Sequence, residues 1–279
     1  MVHSKGLAEC RYCIGILPHP QASANGSTRD RVGVRWTSNS SVAESHGALP
    51  MSYNAHRRFA HREHLDLTPQ EFAVLRRLST PQKVQSFLNA ICINHETDGE
   101  TILSVREVLS QRHAHCIEAA FVAACAFWVH GKPPLVMHLD CAATDYPHVI
   151  ALFRRGRDWG AISKSNGTPL RYRDPIYRSL RELAMSYFHE YSDRHGRKTL
   201  RSYSVAFDLR CVDAKLWVTN AHPCLETNER LAGARHYPLV TSRQERLLVR
   251  RDPFERHTAK TVEYPPPAVK KRAKQKSVG

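Results

Sequence analysis

A cysteine and a histidine each open an apolar segment of the chain. Cys116 begins the run CIEAAFVAACAFWVH, which is rich in Ala and has no Gly or Pro, as is typical of a helix buried on several sides. His148 begins the run HVIALF, whose composition favours a buried strand. A helix N-terminus carries partial positive charge and unpaired N–H groups, which favour a thiolate and an oxyanion. We therefore expect a Cys116 thiolate beside a His148 imidazole, an arrangement suited to attack on a carbonyl.

The surrounding stretch resembles a known superfamily. From Arg112 to Asn166 the chain reads RHAHCIEAAFVAACAFW and, further on, DYPHVIALFRRGRDWGAISKSN. This stretch resembles the transglutaminase-like superfamily, which shares the papain-like cysteine-enzyme arrangement. The resemblance implies that Cys116 is the nucleophile and His148 the base, acting on an amide or peptide bond of a peptide or protein substrate. Water or another amine would resolve the thioester, so the reaction is either hydrolysis or acyl transfer, and neither needs a cofactor.

The third catalytic position departs from the family pattern. The family usually places an Asp on the next strand, four residues after a Trp, where this chain has Trp159 followed by Ser163. An acidic residue there would orient the imidazole and stabilise its charged form. Asn166, acting as a neutral amide, and Ser163, through its hydroxyl, are the two open replacements. Gln111, upstream of the cysteine, is the candidate oxyanion donor.

The elements around this pair predict an α+β fold of the papain-like or transglutaminase-like type. We expect a buried Cys-bearing helix packed on a small antiparallel sheet, with extra helices before and after. Capping signals at Thr68, Thr80 and Ser104 predict three early helices. Apolar runs predict strands over 135–139, 149–153 and 159–162, the last two forming a hairpin around Gly156, and further strands over 202–209 and 216–219. A long amphipathic helix is predicted over 176–191.

Composition divides the chain into three parts. Residues 1–50 are rich in Ser, Asn, Gly and Pro, which predicts a disordered extension, or a mis-annotated one if translation starts at Met51. Residues 51–263 are expected to form the transglutaminase-like domain, with its core over 65–191 and a basic elaboration after it. Residues 264–279 read as a disordered Pro-rich and basic tail.

Charge and hydropathy restrict the protein class. The chain is 42% hydrophobic and 24% charged, a globular balance. Its longest mainly apolar run, residues 117–129, is shorter than the roughly 20 residues of a membrane span, so we expect no membrane partner. Residues 192–279 carry +10 of the net charge of +15. We expect the basic tail to bind polyanions weakly. The alternatives to an enzyme are an inactive binding or scaffold protein of the same fold and non-specific nucleic-acid binding by this basic third.

Cysteine and histidine spacing argues against a metal or a disulfide framework. The eight cysteines are irregularly spaced and no secretory signal is visible, so we expect free thiols and a cytoplasmic location. Only Cys10 and Cys13 have the CxxC spacing, and they lack a second pair. His113 and His115 lie next to Cys116 but lack the spacing of a structural zinc site. No Gly-rich nucleotide loop occurs either, so no metal or cofactor is predicted.

Overall fold

The structure is a computed structural model that describes residues 58–97 and 99–266. The predictions for residues 1–50, for a start at Met51 and for the Cys10–Cys13 pair lie outside the described residues. So does the basic part of the predicted tail, from residue 267 onward.

The described chain folds into mixed helices and sheet, which confirms the α+β prediction at that level. The helices are α1 (Arg62–Leu65), α2 (Pro69–Arg77), α3 (Pro81–Asn89), α4 (Val105–Gln111), α5 (Cys116–Val129), α6 (Leu180–Met185), α7 (Leu225–Ala232), α8 (Ser242–Arg246) and α9 (Pro253–Thr258). The strands are β1 (Cys92–Ile93), β2 (His113–Ala114), β3 (Leu135–Cys141), β4 (His148–Arg155), β5 (Asp158–Ile162), β6 (Arg173–Tyr177), β7 (Leu200–Ser204), β8 (Phe207–Asp208) and β9 (His236–Pro238).

The three predicted caps start the helices that precede the site. The side chains of Thr68, Thr80 and Ser104 each accept a hydrogen bond from the backbone N–H three residues on. At Thr68 the box is complete, because the Glu71 carboxylate also accepts the Thr68 N–H at 2.7 Å. These local bonds satisfy N–H groups that have no partner inside the helix, so short polar signals were enough to place α2, α3 and α4.

The helix that carries the cysteine is buried from its second residue onward. Every residue from Ile117 to Trp128 is buried. The helix ends at Val129, and Gly131, in the left-handed conformation at φ +73°, follows the cap residue. The Gly131 N–H donates to Trp128 O, and the Lys132 N–H donates to Phe127 O, as in a Schellman motif. Among residues 58–97 and 99–266, no helix combines the length and the apolar composition needed to cross a membrane.

A seven-stranded antiparallel sheet supports this helix. Its strands run in the order β6, β5, β4, β3, β7, β9, and β8 pairs with β3 off this path. The predicted β4–β5 hairpin is confirmed, with Gly156 at φ +61° between the strands. His148 is the first residue of β4, and the register of β3 with β4 pairs it with Leu139. Strands β1 and β2 form a separate parallel pair.

The sheet separates two apolar cores. Val149, Ala151 and Phe153 belong to the core that contains α5, and the alternate residues Ile150 and Leu152 belong to the core that contains α6. Residues far beyond 191 join both cores; they include Leu200, Trp217, Leu231 and Leu239. The packed unit is therefore larger than the predicted core of residues 65–191.

Two predicted elements differ from the structure. The long helix over 176–191 is wrong at its start, because residues 173–177 form the edge strand β6 and the helix spans only Leu180–Met185. Pro175 has no N–H to donate, and it is tolerated at a sheet edge where the β5–β6 register shifts. The strand predicted over 216–219 is also absent, since Leu216 ends a 3-10 turn that Asp213 caps.

Candidate active site

Cys116 is the first residue of α5 and is half-buried, so its sulfur lies at the edge of the core. Two histidines flank it. The sulfur lies 3.8 Å from His115 Nδ1, and the charge of His148 also acts on it. Burial raises the pKa of the Cys116 thiol, but the charge of His148 and the hydrogen bond from His115 outweigh it and hold the pKa well below its usual value. This environment favours the ionised form of Cys116.

The other cysteines near these elements lack such partners. Cys125 is fully buried on the same helix, and burial alone raises the pKa of its thiol. Burial and the nearby Asp145 carboxylate raise the pKa of Cys141 to about 11. A thiol is a much weaker nucleophile than a thiolate, so the contrast singles out Cys116 among these three cysteines.

The buried His148 is oriented by Ser163. The His148 Nε2 atom lies 2.8 Å from Ser163 Oγ, and the same oxygen lies 2.5 Å from the carbonyl oxygen of Leu170. A carbonyl only accepts, so the single hydroxyl hydrogen of Ser163 is donated to Leu170. Ser163 Oγ must then accept the Nε2–H of His148, which leaves Nδ1 as the nitrogen available to the Cys116 sulfur. Of the two predicted replacements for the missing acid, the structure places Ser163 in contact with the imidazole.

Ser163 is itself fixed by Gln85, a residue that the sequence did not indicate. Gln85 lies buried on α3, where its Oε1 accepts the Ser163 N–H at 3.1 Å and its Nε2 donates to the Ser163 carbonyl at 2.9 Å. The backbone and the hydroxyl of Ser163 thus all have partners. A Gln on the apolar side of an amphipathic helix was the available signal, because a buried amide needs hydrogen-bond partners.

Two of the predicted site residues lie elsewhere. Asn166 does not orient His148; its amide oxygen accepts the Tyr264 N–H at 2.9 Å and its amide nitrogen donates to Tyr264 O at 2.8 Å. Gln111 donates to the carboxylate of Glu107 at 2.7 Å on the exposed side of α4, one turn away. Asn166 therefore ties the C-terminal segment to the loop after β5, and Gln111 is engaged outside the thiol site.

An ionic cluster that the sequence did not reveal lies on the other side of the thiol. His115 Nε2 is 3.2 Å from Glu96 Oε1 and 3.3 Å from Glu118 Oε1. Neither contact has hydrogen-bond geometry, so the ring nitrogen lies between two carboxylates as an ion-pair partner. Burial lowers the pKa of His115, but its contact with the Cys116 sulfur and its ion pairs with the two carboxylates dominate and raise it to about 12.

Glu118 is fully buried and fully bonded. It accepts hydrogen bonds from Asn94 Nδ2 at 2.9 Å, Thr101 Oγ1 at 2.9 Å, Leu103 N at 2.8 Å and His115 N at 2.8 Å. Burial raises the pKa of Glu118, but these bonds and the charge of His115 lower it below its usual value. The signal in the sequence was a single acid inside an apolar helix, which requires a partner when buried.

The same three side chains satisfy one criterion for a metal site. Ligand atoms of Glu96, His115 and Glu118 all lie within 4.8 Å of one another. However, both oxygens of Glu118 already accept several protein hydrogen bonds, and the second nitrogen of His115 faces the Cys116 sulfur. This donor set matches an ion-paired imidazole better than a cation site.

The arrangement combines a half-buried thiol with two imidazoles in different environments. His148 has a neutral hydroxyl behind it, whereas His115 has two carboxylates behind it. Such a site can hold a thiolate and can also move a proton. No known protein family matches this chain, and no curated protein matches it either, so the functional reading depends on this geometry.

Proposed function

We propose that this protein is a transglutaminase-like cysteine enzyme, with a papain-like core, that acts on an amide or peptide bond through Cys116. The observation that carries the proposal is the position of the Cys116 sulfur. It lies at the first residue of a buried helix and interacts with a His148 whose far nitrogen is held by Ser163. Each of these contacts serves a step of acyl transfer.

The reaction would proceed in two stages. The Cys116 thiolate forms a bond to the carbonyl carbon of the amide, and the electron pair of the C=O bond moves to oxygen. Backbone N–H groups in the first turn of α5 are available to an oxyanion at this position. The oxygen electron pair then re-forms the C=O bond as the C–N bond breaks, and His148, charged as the partner of the thiolate, donates its Nδ1 proton to the departing amine, which leaves a thioester on Cys116.

The second stage releases the acyl group. Water or a second amine gives a proton to His148 Nδ1 and attacks the thioester carbon, and the C–S bond breaks to restore the thiolate. The two acceptors give hydrolysis and transamidation respectively. The described residues support the first stage in the same way for both outcomes, so the substrate is proposed only as a peptide or protein amide.

The contact with Ser163 also favours an enzyme over an inactive protein of the same fold. An inactive protein of the same fold is an alternative because position 163 lacks the Asp that would orient the imidazole. In the structure this position is filled by a hydroxyl that accepts from His148 Nε2 at 2.8 Å, so the imidazole retains a defined orientation and tautomer. A neutral orienter is also what the resemblance to papain-type enzymes implies.

Trapping with hydroxylamine tests this function without knowledge of the natural acceptor. Hydroxylamine attacks any thioester formed on Cys116 and converts the acyl group to a hydroxamate, which is detected by its iron complex. The substrates would be denatured casein and an N-blocked Gln-Gly dipeptide. We expect hydroxamate from the full-length protein, and none above background from Cys116→Ala.

A matched set of variants separates chemistry from folding. We expect His148→Gln to lose at least 100-fold in rate, as is common for a general acid–base residue. Cys125→Ala, on the same helix but away from the site, should retain the activity of the parent if it remains folded. Hydroxamate formation that equals the Cys116→Ala background on both substrates would contradict an amide-directed enzyme.

A further inference from the structure

We propose that His115 is the permanent cation beside Cys116, whose charge suffices to hold the thiolate without the transferable charge of His148, with Glu96 and Glu118 supplying the carboxylates that position 163 lacks. The catalytic meaning of this division depends on the proposed function, but the charge state of the thiol can be tested separately. His115 touches the reacting sulfur and would therefore be a second catalytic histidine.

The charges around His115 favour a charged ring. Its Nδ1 faces the Cys116 sulfur at 3.8 Å, and its Nε2 lies 3.2 and 3.3 Å from two carboxylate oxygens. A neutral ring could also serve both sides, with its Nε2–H toward the carboxylates and its bare Nδ1 accepting from the Cys116 thiol. The two carboxylate oxygens beside Nε2 favour the imidazolium instead, because they pair a positive ring with opposite charge.

The carboxylate behind His115 cannot easily accept a proton. Glu118 accepts hydrogen bonds from Asn94, Thr101, Leu103 and His115, and the acceptance of several N–H groups favours the ionised form. Glu96 is held as well, since its Oε1 accepts the Thr101 N–H at 2.9 Å. With the negative charge fixed at two positions, the proton remains on the imidazole between them and the sulfur.

His148 has the opposite environment. Its Nε2 is bonded to the Ser163 hydroxyl, which is neutral and is already committed to Leu170 O. No carboxylate among the described residues forms an ion pair with His148. A proton on its other nitrogen, Nδ1, is not held by a carboxylate and can be transferred, as a general acid and base requires, while the positive charge of His115 persists through both stages of the reaction.

Few other titratable groups face this pair. The Tyr191 hydroxyl interacts with Cys116 from the segment after α6, and burial raises the pKa of Tyr191 far enough to keep it neutral in the tested range. His113 faces His115 and Glu118 from β2, and burial lowers the pKa of His113. Neither group supplies a positive charge to the sulfur at neutral pH, which leaves the two flanking histidines as the sources.

The pH dependence of alkylation at Cys116 tests the assignment. Full-length protein would be treated with iodoacetamide between pH 4.5 and 8.5, and the Cys116 peptide would be quantified by mass spectrometry. We expect fast labelling of the parent and of His148→Gln at acidic pH. In His115→Gln the labelling midpoint should move toward that of an ordinary thiol, with at least a tenfold lower rate at the acidic end.

Several outcomes would overturn the assignment. Loss of acidic labelling in His148→Gln, or its retention in His115→Gln, would assign the cation to His148. A change in labelling on addition of EDTA would indicate a metal at the carboxylates instead. If His115→Gln does not fold, Glu96→Gln gives a second test, because one carboxylate fewer should raise the labelling midpoint; an unchanged midpoint would contradict the proposal.

The two proposals fail in different ways. If acidic labelling of Cys116 is lost in His115→Gln but kept in His148→Gln, and neither amide substrate gives hydroxamate, the thiolate assignment stands and the amide-directed function is rejected. If hydroxamate forms but acidic labelling is lost in His148→Gln and kept in His115→Gln, the function stands and the role of His115 is rejected. The alkylation assay uses no substrate, so the two measurements are independent.

Discussion

At the scale of single residues, the fold favours a hydroxyl over a carboxylate at position 163. Ser163 is buried, and its Oγ lies 2.5 Å from the carbonyl oxygen of Leu170. A carboxylate there would place negative oxygen against a carbonyl acceptor without a proton between them. Leu170 is also held in a left-handed conformation, at φ +60°, which fixes the direction of that carbonyl.

Substitutions at Ser163 should therefore separate orientation from nucleophile formation. We expect Ser163→Ala to slow hydroxamate formation by about fivefold, because one hydrogen bond to His148, worth about 1 kcal/mol, is lost. Acidic alkylation of Cys116 should not change, since His115 remains in place. The two rates would be measured on the same protein preparation.

Ser163→Asp should not restore the family's acid. We expect it to lower the free energy of unfolding by about 1–3 kcal/mol, because the new carboxylate faces Leu170 O and loses its hydration. Urea unfolding beside Ser165→Asp, two residues along the same loop and less buried, would measure the difference. Equal stability of the two Asp variants would show that position 163 accommodates an acid.

The residues found by spacing are those whose role depends on the start of an element. Cys116 and His148 open a helix and a strand, and Ser163 follows the next strand, so local pattern was sufficient to select them. Gln85, Glu96 and His115 act through contacts between distant parts of the chain. No local period marks such contacts, although the lone Glu118 in an apolar helix showed that a buried partner was needed.

At the scale of elements, Glu118 connects the start of α5 to the segment before α4. Its carboxylate accepts bonds from Asn94, Thr101 and Leu103, which span that segment, and from the N–H of His115 ahead of the helix. The helix that carries the nucleophile is thus positioned by a buried charge as well as by apolar packing. Loss of this acceptor leaves several buried donors without a partner.

We expect Glu118→Ala to destabilise the protein by about 3–5 kcal/mol, the range for breaking a buried ion pair by removing one member. Glu118→Gln should cost less, because its amide oxygen still accepts some of these bonds. The matched control is Glu107→Ala on α4, where the carboxylate accepts a hydrogen bond from Gln111 at the surface and a change below about 0.5 kcal/mol is expected. Chemical denaturation measures all three, and similar losses for both Ala variants would contradict the assignment.

The elements also show where sequence patterns stop being informative. Caps and the Ala-rich run placed α2 through α5, because those signals depend on bonds and burial within one element. The segment 173–185 was predicted as part of a single helix, whereas it divides into β6 and α6. Its apolar spacing fits both structures, and the edge position that tolerates Pro175 is set by β5, a neighbour that the local sequence does not reveal.

At the scale of the whole molecule, the thiolate and the imidazolium link global stability to pH with opposite signs. A lowered folded-state pKa for Cys116 adds stability as pH rises toward 9.0, the unfolded value. A raised folded-state pKa for His115 adds stability that is complete below 6.5 and is lost as pH rises toward about 12. Between 6.5 and 9.0 the folded pair and the unfolded pair bind the same number of protons, so their contributions cancel.

Cys116→Ala should remove that cancellation. This variant removes the sulfur contact that contributes most to the raised pKa of His115, but the Glu118 and Glu96 carboxylates remain and still favour the charged ring. Its free energy of unfolding should therefore fall between pH 6.5 and 9.0 relative to the parent. The difference between the two proteins should change by up to about 1.4 kcal/mol per pH unit. Urea unfolding under reducing conditions at several pH values measures this difference, and the titrations of other groups cancel in the comparison.

Cys141→Ala is the control, because the pKa of Cys141 is raised to about 11 and its thiol stays protonated in both states across most of this range. Parallel curves for Cys116→Ala and the parent would show that the folded protein does not hold Cys116 as a thiolate.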